Sequence, residues 1–149
     1  WDTVQGYIRS GLDQGAELLV GGPGRPEGLA RGYFVRPTAF ARVRPDMTIA
    51  QEEIFGPVLS ILAYRDEDEA VEIANGTIYG LSAYVSGDPA RAAAMARRLV
   101  AGSVLLNQAV HDEPLAPFGG FKQSGLGREK GVYGMLEFTE PKTILGDAR

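Results

Sequence analysis

The order of elements between Pro57 and Asn107 restricts this chain more than any other feature. "PVLSILAY" reads as strand, "DEDEAVEIAN" as helix, "LSAYVS" as strand, "DPARAAAMARRLVAG" as helix and "SVLLN" as strand. The helices carry their own punctuation. Asp66 stands ahead of the first as an N-cap, acid fills its first turn, and Asn75-Gly76 close it. Asp88 caps the second, Pro89 takes its first position, and Gly102 terminates it. Strands alternating with helices over short joints imply right-handed crossovers and a parallel sheet. The expected fold class is therefore α/β, a parallel-sheet βαβαβ unit.

The flanks are less regular. "TVQGYIRSGLDQ" sets Val4, Ile8 and Leu12 four apart, an amphipathic helix that Gly15 stops. "AELLVGG" reads as a short strand entering the Gly/Pro-rich loop "GGPGRPEGLARG". "YFVRPTAFARV" has strand composition, with Pro37 marking an edge or a break. After "SVLLN" periodicity disappears from residues 107 to 127, a glycine- and proline-rich run. A loop of that length is functional or disordered. It leaves the carboxyl end of an expected parallel strand, where open α/β sheets place ligands. "REKGVYGMLEF" suggests a helix weakened by two glycines, and "PKTIL" a last strand without a local partner.

Composition removes several functions. The chain has 149 residues, no cysteine, one histidine (His111) and a net charge of −4. A disulfide framework, a thiolate metal site, a cysteine nucleophile and a multi-histidine metal site are excluded within it. An acidic balance speaks against a nucleic-acid partner, and no apolar run approaches the ~20 residues of a membrane span. The chain begins at Trp1 with no leader-like stretch after it, which reads as a piece of a longer, cytoplasmic protein or a processed product.

Most isolated motifs have plain readings. "SGLGREKG" is one residue off the dinucleotide fingerprint, no strand leads into it, and a turn opening a helix accounts for it. The prolines of "GGPGRPEG" remove donors that an anion nest needs. Asn75-Gly76-Thr77 matches a glycosylation sequon but sits where a helix ends. "DEDE" is a solvated helix start, and Lys122 a solvated cation. His111, beside Asp112 and Glu113, lines or rims a pocket rather than acting as a general acid.

Two clusters remain, "QEEIFGPV" and "PFGGFKQSGLGRE", both joining aromatic residues to glycine turns. With "GYFVRPT", "ANGTIYGLSAYV" and "EFTEPKTI" they fall in the order seen in the C-terminal third of aldehyde dehydrogenases. The chain resembles that superfamily along nearly its whole length. The resemblance implies a fragment of the catalytic domain, with residues 1–140 its C-terminal part and 141–149 a terminal oligomerisation strand. In the family a cysteine attacks the aldehyde, hydride passes to a nicotinamide, and a glutamate-activated water releases the acid. The nucleophile, the base and the cofactor domain lie upstream of the matched segment, so no catalytic residue and no metal ligand is expected here.

Carried over by position, the resemblance makes Glu53 the carboxylate that binds the nicotinamide ribose and Phe55 the ring beside the nicotinamide. A carboxylate suits a vicinal diol, since two acceptor oxygens meet two donors. Phe118 falls at the floor of the aldehyde pocket, and Val110, His111 and Asp112 in the variable loop that shapes substrate entry. Asp112 stands where many members place an aromatic or apolar residue, which points away from a purely apolar aldehyde. The implied cofactor is NAD or NADP, bound by the full-length protein rather than by this piece. The implied partners are an aldehyde and further copies of the chain, met through residues 141–146. A non-catalytic structural or interaction protein that kept the scaffold is the rival reading, and a free-standing nucleotide-binding module a third. The third lacks a proper phosphate loop.

Overall fold

The computed structural model describes residues 1–107 and 113–147. The chain divides into two compact units, Trp1–Thr77 and Ile78–Arg149.

In the first unit, α1 (Asp2–Asp13) buries Val4, Gln5, Ile8 and Gly11. Leu12, expected on the same stripe, is exposed. Gly11 takes the inward place because α1 approaches closely there: a Cβ would lie 3.0 Å from Ile49 and 3.2 Å from the Phe40 ring. Gly15, at φ +86°, turns the chain out of the helix. β1 (Glu17–Val20), β2 (Thr38–Ala41) and β3 (Val58–Ser60) form one sheet with β2 central. β1 pairs antiparallel with β2, and β3 pairs parallel with it, Phe40 opposite Ser60. The strand expected across residues 33–43 begins only after Pro37. Its first donor, Thr38 N, reaches Pro57 O at 2.8 Å.

The core of this unit gathers Val4, Ile8, Ala16, Phe40, Val43, Met47 and Ile49. α2 (Thr48–Gln51) is capped from a distance. Gln14 accepts from Thr48 N and donates to Thr48 Oγ1, both at 2.8 Å. α3 (Glu67–Asn75) begins as expected, with Asp66 accepting from Glu69 N at 2.9 Å, and ends at Gly76. The sequon residues are therefore a helix-closing turn.

In the second unit, β4 is Tyr79–Gly80, β5 Ser82–Val85, α4 Pro89–Ala96 and β6 Ser103–Leu106. β5 and β6 pair parallel through four residue pairs, from Ser82–Ser103 to Val85–Leu106. Asp88 caps α4 by accepting from Arg91 N. That helix stops six residues before Gly102, because the bonds after Ala96 tighten: Arg98 N reaches Met95 O and Leu99 N reaches Ala96 O. β7 (Phe121–Lys122) arises inside the run that showed no periodicity, antiparallel to β4. α5 (Gly131–Leu136) follows. Beyond it, residues 139–147 hold neither helix nor strand, and Ile144 and Leu145 are exposed.

The α/β expectation holds, with parallel pairing in both units. The hydrogen-bonded crossover is β5–α4–β6, while β3 takes its parallel partner upstream, in β2. Among the described residues no helix is long and apolar enough to cross a membrane, and no cluster of His, Asp or Glu could hold a metal ion.

Candidate functional site

The segment from Glu52 to Val58 leaves α2 and alternates between attachment and exposure. Glu52 ends the helix in an extended conformation (φ −115°, ψ 151°). Its carboxylate accepts a hydrogen bond from the Tyr7 hydroxyl at 2.7 Å. Ile54 packs, half-buried, against the core. Gly56 lies on Val4, where a Cβ would come within 2.7 Å of the valine methyls. Pro57 O and Gly56 O accept from Thr38 N and Val58 N, each at 2.8 Å. Between these fixed points, Glu53 is exposed with no hydrogen bond or ion pair among the described residues. Phe55 is 87% exposed and its backbone is left-handed, at φ +50°.

Beside Phe55 lies a cleft of about 350 Å³, bordered by Trp1, Tyr33, Phe34 and Pro57 among others. The Trp1 indole donates to Phe34 O at 3.0 Å, and the Arg25 guanidinium sits 4.5 Å above the indole. Arg25 in turn donates to Gly32 O, and Arg36 to Arg25 O. The glycine- and proline-rich loop thus supports one wall of the cleft.

Phe118 belongs to the second unit. It exchanges backbone hydrogen bonds with Glu129 at 2.8 and 2.7 Å, closing the intervening residues into a loop. Its half-exposed ring borders a cleft of about 370 Å³ that also includes Leu81, Leu126 and Phe138. Arg128 donates to Gly120 O and Gly127 O and lies 5.2 Å from the Phe121 ring. Gly125 and Gly127 both have positive φ, so "SGLG" is a turn. Val110, His111 and Asp112 lie outside the described residues.

The titration shifts fall away from these residues. The Glu69 carboxyl is held low chiefly by its hydrogen bond from the Arg65 side chain, and Asp46 chiefly by Arg44. Sequence reasoning missed Tyr7. Its 45-residue separation from Glu52 leaves no local pattern, and only the Val4–Tyr7 spacing of three marks a shared helix face.

Comparison with known proteins adds four findings. The profile described as "Aldehyde dehydrogenase family" matches residues 1–144. A Staphylococcus aureus protein that carries the family's name is 57% identical over 147 residues, 98% of this chain and 31% of that protein. Among solved structures, a mutant of Pseudomonas syringae aldehyde dehydrogenase C complexed with NAD+ and octanal is 51% identical, with a TM-score of 0.89. The match covers 93% of this chain and 29% of that one. An NAD+ complex of an aldehyde dehydrogenase from Bacillus cereus is 42% identical with a TM-score of 0.91, covering 99% and 30%. The chain therefore spans under a third of the relatives it matches.

Proposed function

The chain belongs to the aldehyde dehydrogenase family, and from that membership we propose that the full-length protein oxidises an aldehyde to a carboxylic acid with NAD as cofactor. The observation that carries this reading is the exposure of Glu53 and Phe55 on a segment fixed on both sides of each. A carboxylate unpaired among the described residues has acceptor positions free there for a ribose diol. An exposed ring held at a strained backbone position offers an apolar face to a nicotinamide. The neighbours' complexes with NAD+ favour NAD over NADP.

The residues present fit that group without supplying the reaction. When bound, the nicotinamide is the hydride acceptor. Glu53 holds the sugar, Phe55 limits the swing of the ring and excludes water, and Phe118 floors the aldehyde pocket. Val110, His111 and Asp112 shape its entrance. The cysteine nucleophile and the general base belong to the part of the protein outside this chain, which has no cysteine of its own. The terminal oligomerisation strand read over 141–149 belongs to the same proposal: the described residues 141–147 form no strand within one chain, and contact between copies through 141–146 would supply the missing partner, a reading supported by the exposed Ile144 and Leu145. A cytoplasmic location is part of the same proposal.

The test is Glu53→Gln in the full-length protein. Gln keeps the size but loses an acceptor and the charge, so a charge-assisted bond weakens by ~1–3 kcal/mol. Single-turnover rates at varied NAD+ should show hydride transfer slowed about tenfold or more, with thiol attack on the aldehyde and thermal unfolding unchanged. Unaltered NAD+ dependence would overturn the assignment.

A further inference from the structure

We infer that Tyr7 and Glu52 form a clamp that positions Glu53, which makes both of them positioning residues for cofactor binding. The inference rests on the assignment of Glu53 to the cofactor ribose.

The geometry begins with the end of α2. The extended backbone at Glu52 sets the Glu52 and Glu53 side chains on opposite sides of the chain. Drawing the Glu52 carboxylate to Tyr7 on α1 therefore turns Glu53 away from α1. The bond is short, 2.7 Å, and charge-assisted, a phenol donating to a carboxylate. It comes from a rigid base, since the Tyr7 ring packs against the core between the anchors Val4 and Ile8.

Upstream, Glu52 N donates to Thr48 O at 3.0 Å, which fixes the chain as far as the Glu52 amide, and the anchors after Glu53 are apolar. Ile54 packs on the core and Gly56 abuts Val4, also on α1. These two fix where the chain passes after Glu53. Ahead of Glu53, the Glu52 side chain has the Tyr7 hydroxyl as its hydrogen-bond partner. Without that bond the peptide between Glu52 and Glu53 can rotate about its flanking dihedrals while Ile54 stays in place. The Glu53 carboxylate, at the end of a flexible side chain with no partner among the described residues, would then sample many positions. The clamp narrows these before a cofactor arrives, and preordering of this kind appears as affinity.

A solvated surface pair would have none of these effects, and the full-length protein can distinguish the two. Tyr7→Phe keeps the packed ring and removes only the hydroxyl. Glu52→Ala removes the acceptor. Glu52→Gln restores an oxygen that the phenol can reach. We expect Tyr7→Phe and Glu52→Ala each to raise the KM for NAD+ about threefold to tenfold, with the KM for aldehyde unmoved. Glu52→Gln should recover most of the loss seen in Glu52→Ala, and the Tyr7→Phe/Glu52→Ala double variant should be no worse than either single. Unchanged NAD+ dependence in Tyr7→Phe, or additive losses in the double variant, would overturn the clamp. So would a Glu52→Gln as impaired as Glu52→Ala. Glu53→Gln measured alongside separates the two readings. If it is impaired while Tyr7→Phe is not, only the clamp fails. If Glu53→Gln itself has no effect on NAD+, the ribose assignment falls and takes the clamp's purpose with it.

Discussion

Asn107 holds Gly87 at both ends of its peptide groups: its Oδ1 accepts from Gly87 N at 2.8 Å and its Nδ2 donates to Gly87 O at 3.0 Å. The side chain thereby ties the turn after β5 to the end of β6, while Asn107 N bonds to Val85 O. Asn107 itself has φ +52°, which asparagine tolerates better than most residues. Asn107→Ala should lose both bonds and keep a strained backbone, costing about 1–2 kcal/mol in urea unfolding. Asn107→Gly should cost less, because it loses the bonds but relieves the strain. Equal losses in the two variants would show that the backbone conformation does not matter.

The cap of α3 makes a second prediction. Asp66 satisfies the Glu69 N–H, and the Glu69 carboxylate returns to the Arg65 N–H at 2.6 Å. This is a capping box displaced by one residue. Asp66→Ala should cost about 1 kcal/mol by denaturant unfolding, and Asp66→Ser should retain most of that.

The same corner sets a pH dependence. Hydrogen bonding from the Arg65 side chain is the largest cause of the lowered Glu69 pKa. A carboxyl whose pKa is lower folded than unfolded adds stability above the ordinary glutamate range. That contribution disappears as pH falls through the folded value. NMR titration should place the Glu69 midpoint below that of an unpaired glutamate, and Arg65→Ala should move it up. A midpoint that stays put in Arg65→Ala would assign the shift to something else.

Two glycines should respond to alanine with opposite signs. At Gly102, which begins the approach to β6, a Cβ would collide with the carbonyl oxygen of Gly119. Backbone cannot yield as a side-chain tip can, so Gly102→Ala should cost at least ~1–3 kcal/mol. At Gly6, exposed in α1, a Cβ meets nothing within 4 Å. Gly6→Ala should raise stability by about 0.5–1 kcal/mol through helix propensity. Thermal melts of the two variants check both.

What the sequence disclosed was local. Asp66, Asp88-Pro89 and Gly15 mark helix ends through bonds to residues at most a few positions away, and the structure keeps all three marks. The β5–α4–β6 crossover followed from the same short-range signals. What escaped depends on distant partners. β3 has the composition of a strand, but its choice of β2 is decided by packing on Phe40 and the α1 core. β4 and β7 are two residues each, too short for any alternation to register. At the candidate site the motif led to Glu53, Phe55 and Phe118, but not to the Tyr7 bond across 45 positions. Nor did it reveal the positive φ of Phe55, which no glycine or asparagine announces.

That φ of +50° has an evolutionary consequence. A left-handed phenylalanine costs about 1–2 kcal/mol relative to a relaxed backbone, and within this chain, where Phe55 is 87% exposed, burial recovers almost none of it. Selection that rewarded only folding would discard the aromatic side chain here and settle on glycine. A library screened for heat tolerance alone should therefore shed Phe55 early, while one screened for turnover should retain it. Divergence between those two populations at this one codon would measure what the exposed ring contributes beyond the fold.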